Sequence, residues 1–174
     1  MGMDFSVTVE KLSGLGNDFL VIENPPSGVD WVEVSRRLCD RTSGIGADGL
    51  LLLGNPGTES LTMKLYNSDG SIAEMSGNGI RCLAQAAHRS AGRTTSFVYQ
   101  VATDAGMRRV EVTPRTETVV DASVDMGEVS VIDAPGAWAS LGADPNRPVM
   151  HLSTGNPHAV DRKSTRLNSS HLVI

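Results

Sequence analysis

Hydrophobic positions in this chain recur mostly with the period of a strand, and in two places with the period of a helix. Apolar and polar residues roughly alternate from Ser6 to Leu12, and Phe19 to Ile22 is a short apolar run. The Gly14 to Asp18 segment between them predicts a tight loop joining two strands. Leu50 to Leu53 reads as a buried strand, and Leu61 to Tyr66 alternates as a strand with one covered face should. Phe97 to Ala102, Met107 to Val112 and Thr118 to Met126 form a meander whose turns are Thr103 to Gly106 and Pro114 to Glu117. Val149 to Leu152 is a last strand. Asp30 and Glu33 make a capping-box pattern for a first helix that turns Trp31, Val34 and Leu38 inward, with Cys39 structural beside them. A second helix starts near Ser76. It sets Ile80, Leu83, Ala84 and Ala87 on one face, with Arg81, Gln85, His88 and Arg89 elsewhere and Gly92 just past its end. One apolar helix among many short strands packs most economically inside a curled sheet. The pattern therefore predicts an α+β fold, an antiparallel sheet or barrel wrapped around a central helix.

The stretch from Asn67 to Ala84, NSDGSIAEMSGNGIRCLA, holds the candidate chemistry. It opens as an Asn-Ser-Asp-Gly turn and passes into the collar Ser76-Gly77-Asn78-Gly79 at the start of the long helix. Backbone amides at such a collar point outward with the positive end of a helix dipole behind them, a seat for a carboxylate or developing anion. A plain glycine-rich cap is the bland alternative, but two glycines around an Asn cost backbone entropy that capping does not demand.

Composition narrows the picture. Of 174 residues, 40% are hydrophobic and 20% charged, which suits a globular protein, and with aromatics at only 4% the core rests on aliphatic side chains. A net charge of −5 without a basic run gives no reason to expect a nucleic-acid surface. Cys39 and Cys82 supply no disulfide framework and read as buried thiols of a reducing compartment. Charges at Asp4, Glu10, Lys11 and Asp18 interrupt any signal-peptide core, and no apolar run reaches membrane-spanning length, so a cytoplasmic location is expected.

Three motif readings fail on context. Gly44-Ile45-Gly46-Ala47-Asp48-Gly49 matches G-x-G-x-x-G, but a helix precedes it and a strand follows, the reverse of a dinucleotide site. A nucleophile elbow around Ser76 needs Gly two positions earlier, where Glu74 stands. His88, His151 and His158 lack paired ligand spacing, so no metal is expected.

Four motifs in order resemble those of the diaminopimelate epimerase family: Gly14-Leu15-Gly16-Asn17-Asp18-Phe19, Arg41 to Gly49, the Asn67 to Ala84 stretch, and Gly155-Asn156-Pro157-His158. The wider superfamily includes proline racemases, hydroxyproline epimerases and dehydratases, and phenazine-pathway isomerases. The resemblance spans about residues 3 to 161 and implies two similar domains with the active site between them. On that basis residues 1–119 form an N-terminal epimerase-like domain, 120–161 open a truncated second copy, and 162–174 (RKSTRLNSSHLVI) are a non-native tail. The second-domain Ala-Cys-Gly-Thr/Ser-Gly run is absent from the sequence.

The family's activity needs no cofactor. One group removes the α-proton of an amino acid on one face while another supplies a proton on the opposite face, and in the family a thiol and a thiolate do this. The resemblance implies a small amino-acid substrate and no nucleic-acid or membrane partner, and it admits a homodimer for the complete protein. It assigns Ser76 to the first catalytic position, where the family has cysteine. Gly77 and Asn78 would grip the α-carboxylate; Asn17, Asn67 and Asn156 would bind the substrate's polar ends; His158 would tune the ionisation of the catalytic group. From spacing alone Asn17 reads instead as a turn residue, and His158 as a surface or capping group. A hydroxyl at the first position suits one-sided chemistry, so a one-base isomerase or hydroxyproline-type dehydratase stands as the alternative. A fragment that binds amino acids without turning them over stands as a third reading.

Overall fold

The computed structural model describes residues 6–134, 136, 149–154 and 157–161, and these fall in two compact units, Met1–Asp125 and Met126–Ile174. In the first unit, strands β1 (Val9–Gly14) and β2 (Asn17–Glu23) lead to helix α1 (Trp31–Cys39). Then come β3 (Gly49–Gly54), β4 (Ser60–Asn67), the short β5 (Ile72–Ala73) and helix α2 (Gly77–Ser90). A meander of β6 (Phe97–Thr103), β7 (Gly106–Pro114) and β8 (Val120–Val124) completes it.

The strands form one eight-stranded sheet in the order β1-β2-β3-β4-β6-β7-β8, with β5 beside β4. Helix α2 touches β1 and β8, at the two ends of that order, as well as β2, β3, β4 and β7. A flat sheet could not bring both edges to one helix. The sheet is therefore curled around α2, as the pattern of strands and helices predicts.

The sheet is mixed, where a wholly antiparallel one was expected. The pairs β2 with β3 and β4 with β6 are parallel. Each is joined through a helix, α1 in the first case and α2 in the second, which is what a parallel pair requires.

The alternation in β4 decides its faces: Leu61, Met63 and Leu65 are buried while Ser60, Thr62 and Lys64 are exposed. Strand β3 is covered on both sides. Leu50 and Leu52 join Leu20, Ile22, Cys39 and Ala47 in a cluster under α1, against which Trp31, Val34 and Leu38 pack. Leu51 faces the other way, toward the start of α2. Asp30 caps α1 by accepting from the Glu33 amide at 3.2 Å.

Ile80, Leu83, Ala84 and Ala87 are fully buried, and Gln85 and His88, which the helical spacing sets off the apolar face, are buried as well. The curled sheet covers α2 over more than one stripe, and each polar residue finds a partner there. Gln85 Nε2 donates to the Thr118 carbonyl at 2.8 Å, and His88 Nδ1 meets the Tyr99 hydroxyl at 3.2 Å. Among the described residues no helix is long and apolar enough to cross a membrane.

The second unit contains β9 (Ser130–Val131), β10 (Val149–Ser153) and β11 (Pro157–Asp161), an antiparallel sheet in the order β11-β10-β9. The sequence places the domain boundary at 119/120. The chain's contacts divide between Asp125 and Met126, because β8 pairs with β7 in the first sheet. Asn156 and the 162–174 tail lie outside the described residues.

Leu83 is fully enclosed between α2 and the sheet. Leu83→Ala should lower unfolding stability by about 2–5 kcal/mol in urea titrations, the range for emptying a well-packed site.

Candidate active site

Ser76 has extended backbone angles and stands at the N-cap of α2. Its Oγ accepts from the Gly79 amide at 3.0 Å, and its carbonyl accepts from the Ile80 amide at 2.8 Å. Gly79 leaves room for this arrangement: a Cβ there would lie 3.1 Å from the Ser76 Cβ, 3.3 Å from its Oγ and 3.4 Å from Leu51 Cδ2, a tight fit. Because the hydroxyl accepts at the cap, its own proton remains available to a neighbour. Ser76, Gly77 and Asn78 are all half-buried, so the collar reaches the surface. Among the described residues, the Gly77 and Asn78 amides make no hydrogen bond. They stand at the positive end of the helix dipole with a free donor each.

The β1–β2 hairpin brings Asn17 to this helix tip. Gly14 pairs with Asn17, leaving a two-residue turn at Leu15 and Gly16. Both turn residues have positive φ, 49° and 95°, the mirror-image turn that matches strand twist. Asn78 Nδ2 donates to Asn17 Oδ1 at 2.7 Å, and Arg81 donates to Asn78 Oδ1. Asn17 Nδ2 in turn donates to Asp48 Oδ2 at 3.0 Å, and that oxygen also accepts the Asp18 amide at 3.0 Å. Asn17, a turn residue by spacing alone, is thus tied by its side chain to the tip of a helix 61 positions away in sequence.

The glycine loop after α1 supplies the far wall of this network. It folds back over α1, with the Ile45 and Gly46 amides donating to the Leu38 carbonyl and the Ala47 amide to that of Cys39. Gly44 lies so close to the helix that a Cβ would sit 2.2 Å from the Arg37 carbonyl oxygen. Arg41 on this loop forks to Asp18 at 2.6 and 3.0 Å and reaches Asp48 at 2.8 Å. Lys11 lies 3.2 Å from Asp18 and donates to the Gly46 carbonyl at 2.5 Å. The Arg41 guanidinium, against the opposing effect of burial and with further help from Lys11, holds the Asp18 carboxyl well below the usual carboxylate range.

Asn67 closes a turn beside this loop. Its amide donates to the Ser71 carbonyl at 2.8 Å and its Nδ2 to Ser71 Oγ at 2.9 Å, while the Ser68 amide donates to the Asp48 carbonyl at 3.1 Å. Ser76, Gly77, Asn78 and Asn17 are therefore assembled in one place. Asn67 joins them only through the Asp48 loop. His158 lies on β11 of the second unit, opposite Leu152, with Nε2 3.2 Å from Thr154 Oγ1.

Neither cysteine is a ready base. Burial pushes both thiols up to about 11, and the Asp18 charge adds to the effect at Cys39. Cys82 is turned toward Gly14, whose Cβ, if present, would lie 3.2 Å from the sulfur. Among the described residues no group of three His, Cys, Asp or Glu is placed to hold a metal ion. A cleft of about 590 Å³ opens at the opposite end of α2, lined by His88, Arg93, Pro114, Arg115 and Val120, and none of the expected site residues lines it. In the sequence Asp48 and Arg41 stand out only as parts of a motif, and Arg81 only as a residue off the apolar helix face. Nothing in their spacing reveals that they join Asn17 and Asn78 in one network.

A sheet curled about one helix is a fold that this chain shares with solved structures of epimerases. The solved structure of a predicted epimerase from Pseudomonas aeruginosa superposes with a TM-score of 0.68 at 16% identity, over 87% of this chain and 57% of that one. A hydroxyproline epimerase from Agrobacterium vitis, solved with trans-4-hydroxy-L-proline, gives 0.66 at 15% identity over 89% and 51%. At such identities the likeness is one of fold. In sequence, the chain is 38% identical to the diaminopimelate epimerase of Rippkaea orientalis, over 89% of this chain and 59% of the relative. It is 41% identical to that of a Picosynechococcus species, over 86% and 58%. The family model for diaminopimelate epimerase matches residues 9–132, and the chain belongs to the diaminopimelate epimerase family. It spans rather more than half the length of these relatives.

Ser76→Ala removes the cap acceptor and should cost about 0.5–2 kcal/mol in chemical denaturation, while Ser76→Gly should cost only a few tenths. Because the native pKa of Asp18 is lowered, its stabilising effect is present above the ordinary carboxylate range and is lost as pH falls below about 4. Melting temperature against pH should accordingly fall less steeply on the acid side for Arg41→Met than for the wild type.

Proposed function

We propose that this chain contributes the first half of a diaminopimelate epimerase site, in a cytoplasmic, cofactor-independent enzyme that interconverts LL- and meso-diaminopimelate for lysine and peptidoglycan synthesis. The observation that carries the reading is the half-buried collar: the Gly77 and Asn78 amides, unpaired among the described residues, beside the Asn17 carboxamide at the positive tip of α2. Amides so placed hold a substrate carboxylate and accept the charge that grows on it as the α-proton leaves. Asn17, Asn67 and Asn156 bind the substrate's polar groups and so fix the α-carbon, and His158 adjusts the catalytic group. In this reading the chain up to Asp125 is the first epimerase-like domain, and the chain from Met126 opens a second.

Ser76 stands where the acid–base group acts, capping the helix as a family cysteine would. The dipole of a helix end contributes about 0.3–1 kcal/mol, far too little to make an alkoxide from a hydroxyl near neutral pH. Ser76 therefore serves as a proton donor or relay and as a carboxylate partner, not as the abstracting base. That property favours a second reading, one-base isomerase or dehydratase chemistry on a related amino acid. Two-base epimerisation also needs a group on the opposite face, and the 174 residues hold no Ala-Cys-Gly-Thr/Ser-Gly run to supply it. By itself the chain is expected to bind the amino acid without inverting it.

α-Proton exchange into deuterated water, followed by proton NMR on LL-diaminopimelate, tests this directly. The chain alone should exchange little, and Ser76→Cys joined to a family second domain should exchange at least about a hundredfold faster than its Ser76 counterpart. Equal rates for the two would remove Ser76 from the chemistry.

A further inference from the structure

We infer that Asp48 and Arg81 are positioning residues, the charged ends of a hydrogen-bond chain that sets which way the Asn17 and Asn78 carboxamides face the ligand. The inference rests on the amino-acid-binding reading above and adds what orients its polar groups. The two ends of a carboxamide are nearly alike in shape and opposite in hydrogen bonding, so an asparagine in a binding site is useful only if its orientation is fixed. Arg81 can only donate, and it donates to Asn78 Oδ1, which turns Asn78 Nδ2 toward Asn17. Asn78 Nδ2 then donates to Asn17 Oδ1 at 2.7 Å, and Asn17 Nδ2 donates to Asp48 Oδ2 at 3.0 Å. A carboxylate only accepts. Reversing either amide would set N–H against guanidinium N–H, or carbonyl oxygen against carboxylate oxygen.

Two amides bonded only to each other could run in either direction. A donor-only group at one end and an acceptor-only group at the other select one of them. Asp48 is itself held in place, by the Asp18 amide at 3.0 Å on Oδ2 and by Arg41 at 2.8 Å on Oδ1. In the selected direction each asparagine spends one amide hydrogen inside the chain and keeps the other. Beside the backbone amides of Gly77 and Asn78, the pair thus offers further N–H donors, the complement of a carboxylate oxygen.

The test uses the full 174-residue chain, with isotope-edited NMR of the asparagine side-chain amides and titration of LL-diaminopimelate as the probe. Asp48→Asn should move the side-chain resonances of Asn78 as well as Asn17, although Asp48 does not touch Asn78. Arg81→Gln should likewise move those of Asn17. Arg81→Lys, still donor-only, should keep the wild-type pattern where Arg81→Gln does not, with melting temperatures of the two within a few degrees. Each disrupting variant should weaken the probe about tenfold, the loss of one charge-assisted bond. Resonances that move only at the direct neighbour, or identical spectra for the Lys and Gln variants, would overturn the inference. If the wild type does not take the probe while the resonances still move together, the binding reading falls and the orienting chain stands. If the probe binds and the resonances move independently, the reverse holds.

Discussion

The hydrogen bond from the Gly79 amide to the Ser76 hydroxyl is the point from which the site is built. It fixes where α2 begins, and therefore which amides are left in front of the helix without partners. Had the helix started one turn earlier, Gly77 and Asn78 would be internal and their amides spent. Gly79 gives the cap room, since a Cβ there would come within 3.1 Å of that of Ser76. The curl of the sheet matters equally: it buries Gly79, Ile80 and Cys82 to His88 and sets the tip beside the β1–β2 hairpin.

The same curl explains what the sequence revealed and what it did not. Period-two alternation in β4 and the apolar stripe of α2 are local signals, and they were enough to predict a sheet wrapped around a helix. Parallel pairing is not local. It arises because α1 and α2 carry the chain back across the sheet, and the alternation of β2, β3 or β6 says nothing about that direction. The burial of Gln85 and His88 is hidden for a related reason: helical spacing marks one buried stripe, whereas a helix inside a curled sheet has a covered face several residues wide.

Within the site, Ser76, Gly77 and Asn78 were legible because cap, collar and helix are contiguous. Asn17 came from a motif resemblance, and its side-chain bond to Asn78 bridges the hairpin and the helix tip. The roles of Asp48 and Arg81 were hidden, since a charged residue in a loop or on a helix reads as a solvated one until the fold sets it beside two amides. His158 belongs to the second sheet, where its bond to Thr154 is visible and its bearing on Ser76 rests on the family resemblance. A serine at the cap is far less acidic than the thiol that the family resemblance leads one to expect there.

The central claim is that the half-buried tip of α2 clasps the carboxylate of an amino acid, and backbone amide NMR during titration with diaminopimelate tests it most directly. The account predicts that the Gly77 and Asn78 amides shift downfield together and saturate at one ligand concentration, with smaller changes at Asn17 and Asp18. Saturable shifts confined to the cleft around His88, Arg93 and Arg115, with Gly77 and Asn78 unmoved, would contradict it.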